Sequence, residues 1–212
     1  SVKDIIYNTL GKKYKESLPY SSSGSSKTTE TTNADLLSTY TYDSLLRSAT
    51  ETNILGTVTN VYDDWKHTIT DLRGKSKNYY KDSSDNLLRV DEISGANTYS
   101  TYYEYNGNNR LTKITDALGN IRNFTYDGLG RRLTAQDLHA SADITFGAWT
   151  YSYDAAGNPT SVIDPKSQTV NYTYDDINRP LTEDYTGVGG TEVTYSYDSG
   201  TDGVGKLSSV TA

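Results

Sequence analysis

The residues of this chain whose types and spacing could do chemistry are acids that follow paired aromatic residues. Asp43, Asp127, Asp154, Asp175 and Asp198 each come directly after the second ring of a Tyr-x-Tyr or Phe-x-Tyr pair. A ladder of such carboxylates would hold calcium if each loop gathered six to eight oxygens. Each loop instead offers one Asp followed by small residues, which is the chemistry of a capped turn. His67 and His139 are the only two histidines. Neither has a neighbour at metal-ligand spacing or a Gly-x-Ser-x-Gly partner, so both read as exposed strand or loop residues. Asp91-Glu92 and Glu183-Asp184 are adjacent acids, and neighbours on a strand face opposite sides. Neither pair makes an acid–base couple. The reading is of a chain that is not an enzyme, with no catalytic, cofactor or metal site.

The elements that must carry these acids repeat. Clear copies of the unit are Tyr40-Thr41-Tyr42-Asp43, Tyr151-Ser152-Tyr153-Asp154, Tyr172-Thr173-Tyr174-Asp175 and Tyr195-Ser196-Tyr197-Asp198. Near copies are Phe124-Thr125-Tyr126-Asp127 and Tyr103-Glu104-Tyr105-Asn106; worn copies centre on Tyr7, Tyr62 and Lys81. After the first interval the anchors step by 20, 19, 24, 21, 27, 21 and 23 residues. A period of this size is the signature of a repeat architecture. The spacing predicts a single array over 1–212 of about nine units. A low-complexity insertion falls at 21–34, and longer loops fall near 138–148 and 186–192.

Each unit reads as a β-hairpin. Residues two apart share a face of a strand, so Tyr40 with Tyr42, Tyr103 with Tyr105, Tyr151 with Tyr153, Tyr172 with Tyr174 and Tyr195 with Tyr197 put their rings on one side. The Thr or Ser between most pairs turns to the other side, the alternation of a half-buried strand. Turn chemistry follows as Asp127-Gly128-Leu129-Gly130-Arg131, as Asp154-Ala155-Ala156-Gly157 and, in a variant, as Asn106-Gly107. Gly accepts a positive φ there, and Asp accepts a hydrogen bond from the backbone two residues on. A second strand and a second turn, such as Asp116-Ala117-Leu118-Gly119, close the unit. The fold class is all-β: tandem hairpins forming a curved or spiralling antiparallel sheet, with on the order of 18 strands and no helix. Trp65 and Trp149 stand at irregular places and are expected to plug gaps between repeats.

Composition agrees. Twenty tyrosines stand against two phenylalanines and no methionine, which suits thin sheets better than a thick apolar core. The net charge is −7 with both signs interspersed, which gives no footprint for nucleic acid. No stretch nears the roughly 18 apolar residues of a spanning helix, so no membrane insertion is expected. Cysteine is absent. The start, Ser1-Val2-Lys3-Asp4, lacks the apolar core of a signal peptide, so an interior piece of a longer chain is expected. A lone hairpin is marginal in water, so further repeats of the same or a neighbouring chain are the expected partners, and edge pairing between copies would build a filament.

The pattern Tyr-x-Tyr-Asp-x-x-Gly-Arg-Leu resembles the YD-repeat or rearrangement-hotspot (Rhs) family, and Phe124–Leu133 matches it best. The resemblance covers nearly the whole chain. It implies a segment of a hollow β-cocoon, secreted or at the surface of a bacterial cell. In toxin members the cocoon sequesters a C-terminal toxic segment; in teneurin-like members it carries adhesion modules. The C-terminal core whose aspartates perform self-cleavage in the toxin members has no counterpart here, and Asp164-Pro165 is a turn within a repeat. The functional expectation is a structural, non-catalytic shell or wall segment. The alternative is a repeat module for adhesion that binds a glycan or surface protein through its tyrosine face or loop insertions.

Overall fold

The computed structural model describes residues 2–21, 37–143, 147–187 and 189–212. All regular structure among them is β, and no helix is long and apolar enough to cross a membrane. The chain divides into two compact units, Ser1–Tyr102 and Tyr103–Ala212. The predicted insertion at 21–34 falls almost wholly outside the described residues, as do 144–146 and 188 of the two longer loops.

The first unit is an antiparallel meander of β1 (Ile5–Tyr7), β2 (Lys13–Ser17), β3 (Leu37–Tyr42), β4 (Ser48–Asn53), β5 (Gly56–Asp63), β6 (Lys66–Thr70), β7 (Ser76–Lys81), β8 (Leu87–Ser94) and the start of β9 (Asn97–Tyr105). Every strand pairs with the one before it. Its buried side chains are polar: Asp4, Ser17, Asn78 and Asp91. Three consecutive register pairs, Thr68↔Asn78, Asn78↔Asp91 and Asp91↔Ser100, lay a polar row across β6 to β9. Thr68 donates to Asn78 Oδ1 at 2.8 Å and Ser100 to Asp91 Oδ1 at 2.7 Å, which satisfies the buried acceptors. Arg89 Nε lies 3.0 Å from the Asp91 carboxylate, yet off hydrogen-bond line, and its guanidinium covers the Tyr80 ring at 3.9 Å.

The second unit contains β10 (Leu111–Thr115), β11 (Asn120–Tyr126), β12 (Arg132–Gln136), β13 (His139–Ala140), β14 (Ala148–Tyr153), β15 (Pro159–Ile163), β16 (Thr169–Tyr174), β17 (Pro180–Tyr185), β18 (Val193–Tyr197) and β19 (Leu207–Thr211). It is again antiparallel, and it forks at β11. The C-terminal half of that strand pairs β12, while Asn120 and Ile121 pair the two residues of β13. At the fork sit Phe124 and Ala135, direct cross-strand partners and the buried apolar residues among those described. Arg122 and Arg132 lie over the Phe124 ring at 5.3 and 5.2 Å, supplying the cover that a second layer would give elsewhere.

The alternation along the tyrosine strands is plain in the burial. The rings of Tyr40 and Tyr42, Tyr151 and Tyr153, Tyr172 and Tyr174, and Tyr195 and Tyr197 are half-buried, and the residue between each pair is exposed. The exposed hydroxyls still pair across strands, Thr41 with Thr50 at 2.7 Å, Thr125 with Thr134 at 2.7 Å and Thr173 with Thr182 at 2.6 Å.

Three side chains depart from expectation. His139 is buried, because β13 lays it against β11 and its Nδ1 sits 2.7 Å from the Asp137 carbonyl. His67 is half-buried rather than exposed, stacked on Tyr62 with ring centroids 4.4 Å apart and planes 7° off parallel. Trp65 plugs no gap: the hairpin Asp63↔Lys66 leaves it at the tip of a two-residue turn, 62% exposed.

Candidate functional site

The repeated feature on which the signature residues converge is a five-residue turn that begins at an Asp or Asn; Asp198 instead opens a longer loop, its N–H donating to the Lys206 carbonyl at 3.0 Å. The Asp127 turn shows the plan. Asp127 N–H donates to the Arg131 carbonyl at 2.9 Å, Gly130 N–H donates to the Asp127 carbonyl at 3.0 Å, and Asp127 Oδ1 accepts from the Arg131 N–H at 2.9 Å. In most turns Oδ1 also accepts from the residue two places on, as in Asp43, Asp116, Asp164 and Asp175. A carboxylate that caps two backbone donors in this way is the Asx-turn mechanism, and it closes a hairpin with a bulge. The strand registers slip by one residue beside these turns, for example between Thr125 and Tyr126.

The fourth residue of each turn takes a positive φ. Gly130 at +92° and Gly157 at +97° fill that place with glycine. Leu46, Asn109 and Asn178 fill it at +60°, +56° and +65°, so the side-chain cap holds the turn even where glycine is missing. Gly107 lies two places earlier in its turn, and Asn109 carries the left-handed backbone there.

The fifth residue ties one hairpin to the next, and most of these residues lie outside the predicted signature. Arg131 Nε donates to Asp127 Oδ2 at 2.6 Å, its guanidinium covers the Tyr153 ring at 4.9 Å, and its Nη1 donates to the Asp154 carbonyl at 2.8 Å. Arg179 repeats this with Asp175 Oδ2 at 2.6 Å, the Tyr197 ring at 4.3 Å, and both oxygens of Asp198 at 2.9 and 2.7 Å. Arg47 pairs with Asp43 at 2.7 Å and covers Tyr62 at 4.1 Å. Arg110, after Asn106, passes under Gly130, where an added Cβ would collide with its guanidinium. Only Arg131 of these belongs to the signature read from sequence. The Gly-Arg-Leu of the repeat pattern held the signal for the others, since each of these arginines stands four residues after the Asp or Asn that opens its turn.

Tyrosine hydroxyls add a second tie in the opposite sense. Tyr42 donates to the Lys13 carbonyl at 2.8 Å, Tyr126 to Leu111 at 2.9 Å and Tyr153 to Arg132 at 2.8 Å, each reaching back to the hairpin before. In each case the acceptor lies one residue past the preceding turn. Tyr40 instead joins an ionic cluster, donating to Glu16 at 3.0 Å under the Lys13 ammonium, which lies 4.2 Å from its ring centroid.

The electrostatics follow the geometry. Hydrogen bonding from Lys13, then Lys3, holds the Glu16 carboxyl at about 2. The Arg179 guanidinium, then the Gly205 N–H, holds Asp198 at about 2. Partial burial pushes Asp127 up, but the Arg131 side chain and backbone outweigh it and keep the group below the usual carboxylate range. His67 is lowered, first by burial and then by Lys81 and Arg47. Such shifts mark active sites only when the groups converge on a cleft. Here the shifted turn acids are spent in turns and ties strung along the array, and no group of three or more His, Asp or Glu among the described residues could hold a metal.

The family comparison covers the turns from Asp82 to Arg179. The model of the RHS repeat matches residues 82–121, 105–139, 147–169 and 153–187. No curated protein matches the chain. Among solved structures, the complex TcdB2-TccC3-TEV superposes over 92% of this chain with a TM-score of 0.69 at 13% identity. TcdB2-TccC3 without its hypervariable C-terminal region gives 98% coverage, a TM-score of 0.60 and 14% identity. The Photorhabdus luminescens Tc holotoxin pore gives 76%, 0.60 and 13%. This chain spans only about a tenth of each of those chains, covering 11%, 11% and 9% of them. At such identity the likeness is one of fold, and it is the fold that the turn geometry builds. Over residues 82–139 and 147–187 the hairpin unit of this chain matches the RHS repeat.

Proposed function

We propose that the chain is a wall segment of an RHS shell: a non-catalytic array of about nine YD repeats whose work is to make a continuous β-surface around a cargo. The observation that carries this reading is the direction of the ties. Tyr42, Tyr126 and Tyr153 each bond back to the preceding hairpin, while Arg131 and Arg179 reach forward to the next. The repeat of Tyr126 and Arg131 is thereby tied to both of its neighbours, as a wall requires and a free-standing binding domain does not. The fold shared with chains of Tc toxin complexes supports the same role. It also supports a secreted or surface location, a bacterial source, and an enclosed toxic segment as the partner. Electron microscopy of the full-length parent protein tests this. Density for these residues in the wall of a closed chamber is the expected result; hairpins projecting singly from another domain would refute it.

A second reading has its own observation. The third residue of several turns is apolar and exposed: Leu10 at 65%, Leu45 at 70%, Leu129 at 77% and Ile177 at 67%. Apolar tips at regular intervals favour contact with further repeats of a neighbouring chain, and so filament assembly. Light scattering of the isolated chain tests it: growth of large particles that Leu129→Ser with Ile177→Ser suppresses supports assembly, and a concentration-independent monomer rules it out.

A further inference from the structure

The second unit carries a hollow of about 350 Å³ that the wall function leaves unused. Its floor is a cross-strand row on the tyrosine face. Val162 pairs with Val170, and Val170 pairs with Tyr185, which is 40% exposed. Trp149 stands on the same face of β14, two residues before Tyr151, the partner of Val162. The rim is Asp164, Gln168, Thr169, Thr186 and Glu192, with no basic residue in the lining among the described residues. Glu183 lies two residues before Tyr185 on β17, within 3.4 Å of its hydroxyl.

The charges are what single this hollow out. Asp164 caps its turn with Oδ1 and Glu192 accepts the Tyr185 N–H at 2.6 Å, so each is oriented by the backbone. Neither they nor Glu183 form an ion pair among the described residues. A larger hollow of about 460 Å³ in the first unit lacks this property. Lys75 and Lys77 line it, and Lys77 already neutralises Glu92 at 2.5 Å. A half-buried tryptophan and a tyrosine lining an apolar hollow, beside unneutralised carboxylates, attract an organic ammonium cation. An anion would meet repulsion at every side. A metal ion would find too few convergent oxygens and an apolar floor.

We infer that the Trp149–Tyr185 hollow binds an alkylammonium group, whether free on a small molecule or borne by a lysine side chain of a polypeptide. The test uses the whole 212-residue chain with Trp65→Phe, so that Trp149 is the sole tryptophan. Tetramethylammonium is expected to change Trp149 fluorescence saturably, while neopentyl alcohol, a neutral molecule of similar size and shape, does not. Trp149→Leu, followed by tyrosine fluorescence, and Glu192→Gln are each expected to weaken binding by about tenfold with the β circular dichroism retained. Tighter binding of a lysine-containing peptide than of tetramethylammonium identifies the polypeptide source, and the reverse order identifies the free ion. An equal response to neopentyl alcohol, or no saturable response to any ammonium, overturns the inference. Because the readout is ligand binding by an intact sheet, its failure leaves the wall function untouched.

Discussion

Among the described residues only the second unit buries apolar side chains, although both units are built from the same hairpin. In Tyr103–Ala212 the buried strand residues are apolar Phe124 and its partner Ala135, roofed by two arginines, with His139 on the short strand beside them. In Ser1–Tyr102 they are Ser17, Asn78 and Asp91, the last two held by Thr68 and Ser100 in a row across four strands. A sheet meander has little interior, so the few sites its own side chains can cover become the points where burial matters. An apolar site contributes by leaving water; a polar one contributes only while every partner is in place.

The largest expected effect tests that contrast. Phe124→Ala should cost about 3 kcal/mol, because the ring loses its contacts and the guanidinium roof cannot collapse fully into the gap. Asn78→Ala should cost about 1–2 kcal/mol, the loss of one buried hydrogen bond and its packing. Urea denaturation followed by circular dichroism measures both. Equal costs would break the distinction between the units.

A second comparison lies within the second unit, between neighbouring turns. Arg131 makes three contacts: its own turn acid, the next turn's carbonyl and the Tyr153 ring. Asn158, in the same place one hairpin later, donates to Asp154 Oδ2 at 2.9 Å and to Asn178 Oδ1 at 2.7 Å. Arg131→Ala is expected to cost about 1–2 kcal/mol and Asn158→Ala about 0.5–1 kcal/mol, since an ion pair with a ring contact outweighs one amide-to-carboxylate bond and one amide-to-amide bond. Limited proteolysis should then open the Arg131→Ala chain near Asp154 before the Asn158→Ala chain opens near Asn178. The same nicking order in both would mean that the ties are incidental.

How much of this was legible before the structure depends on the range of the interaction. The hairpins, the face shared by Tyr151 and Tyr153, and the capping by Asp154 are set by residues within four places of each other, so spacing alone exposes them. The reach of Arg179 to Asp198, nineteen residues on, depends on strand stacking that no local pattern encodes. The burial of His139 is hidden for the same reason: a two-residue strand carries no periodicity, and only its pairing with β11 places the ring. Leu46 in a left-handed backbone was invisible because the turn rule reads for glycine, while the structure shows the Asp43 cap standing in for it.

Acid should separate the turns by their charges. Asp198 has its folded pKa depressed to about 2 by Arg179, so its contribution is present above the ordinary carboxylate value and is lost as pH falls toward 2. Asp71 is also lowered, first by the Lys75 backbone N–H, but no side-chain ion pair among the described residues holds it. Between about pH 4 and 2 the Arg179 junction should loosen. Amide exchange at Gly205, whose N–H donates to Asp198 at 2.7 Å, reports it. Arg179→Gln should shift that loosening to higher pH and leave the Asp71 turn unchanged; a shift common to both turns would mean that global acid unfolding is being read instead.

The finest test uses two glycines whose backbones are nearly the same. Gly130 and Gly157 sit at φ of +92° and +97°, so Ala at either site carries the same left-handed penalty of about 1 kcal/mol. Around Gly157 an added Cβ meets open space, whereas at Gly130 it displaces the Arg110 guanidinium. The excess cost of Gly130→Ala over Gly157→Ala therefore isolates the seating of Arg110 against the next turn. Because a flexible side-chain end can move aside, that excess should be small, about 0.5 kcal/mol, and it should vanish in an Arg110→Ala background. An excess that survives the loss of Arg110 would place the strain in the Asp127 turn itself, and would remove Arg110 from the set of residues that join one repeat to the next.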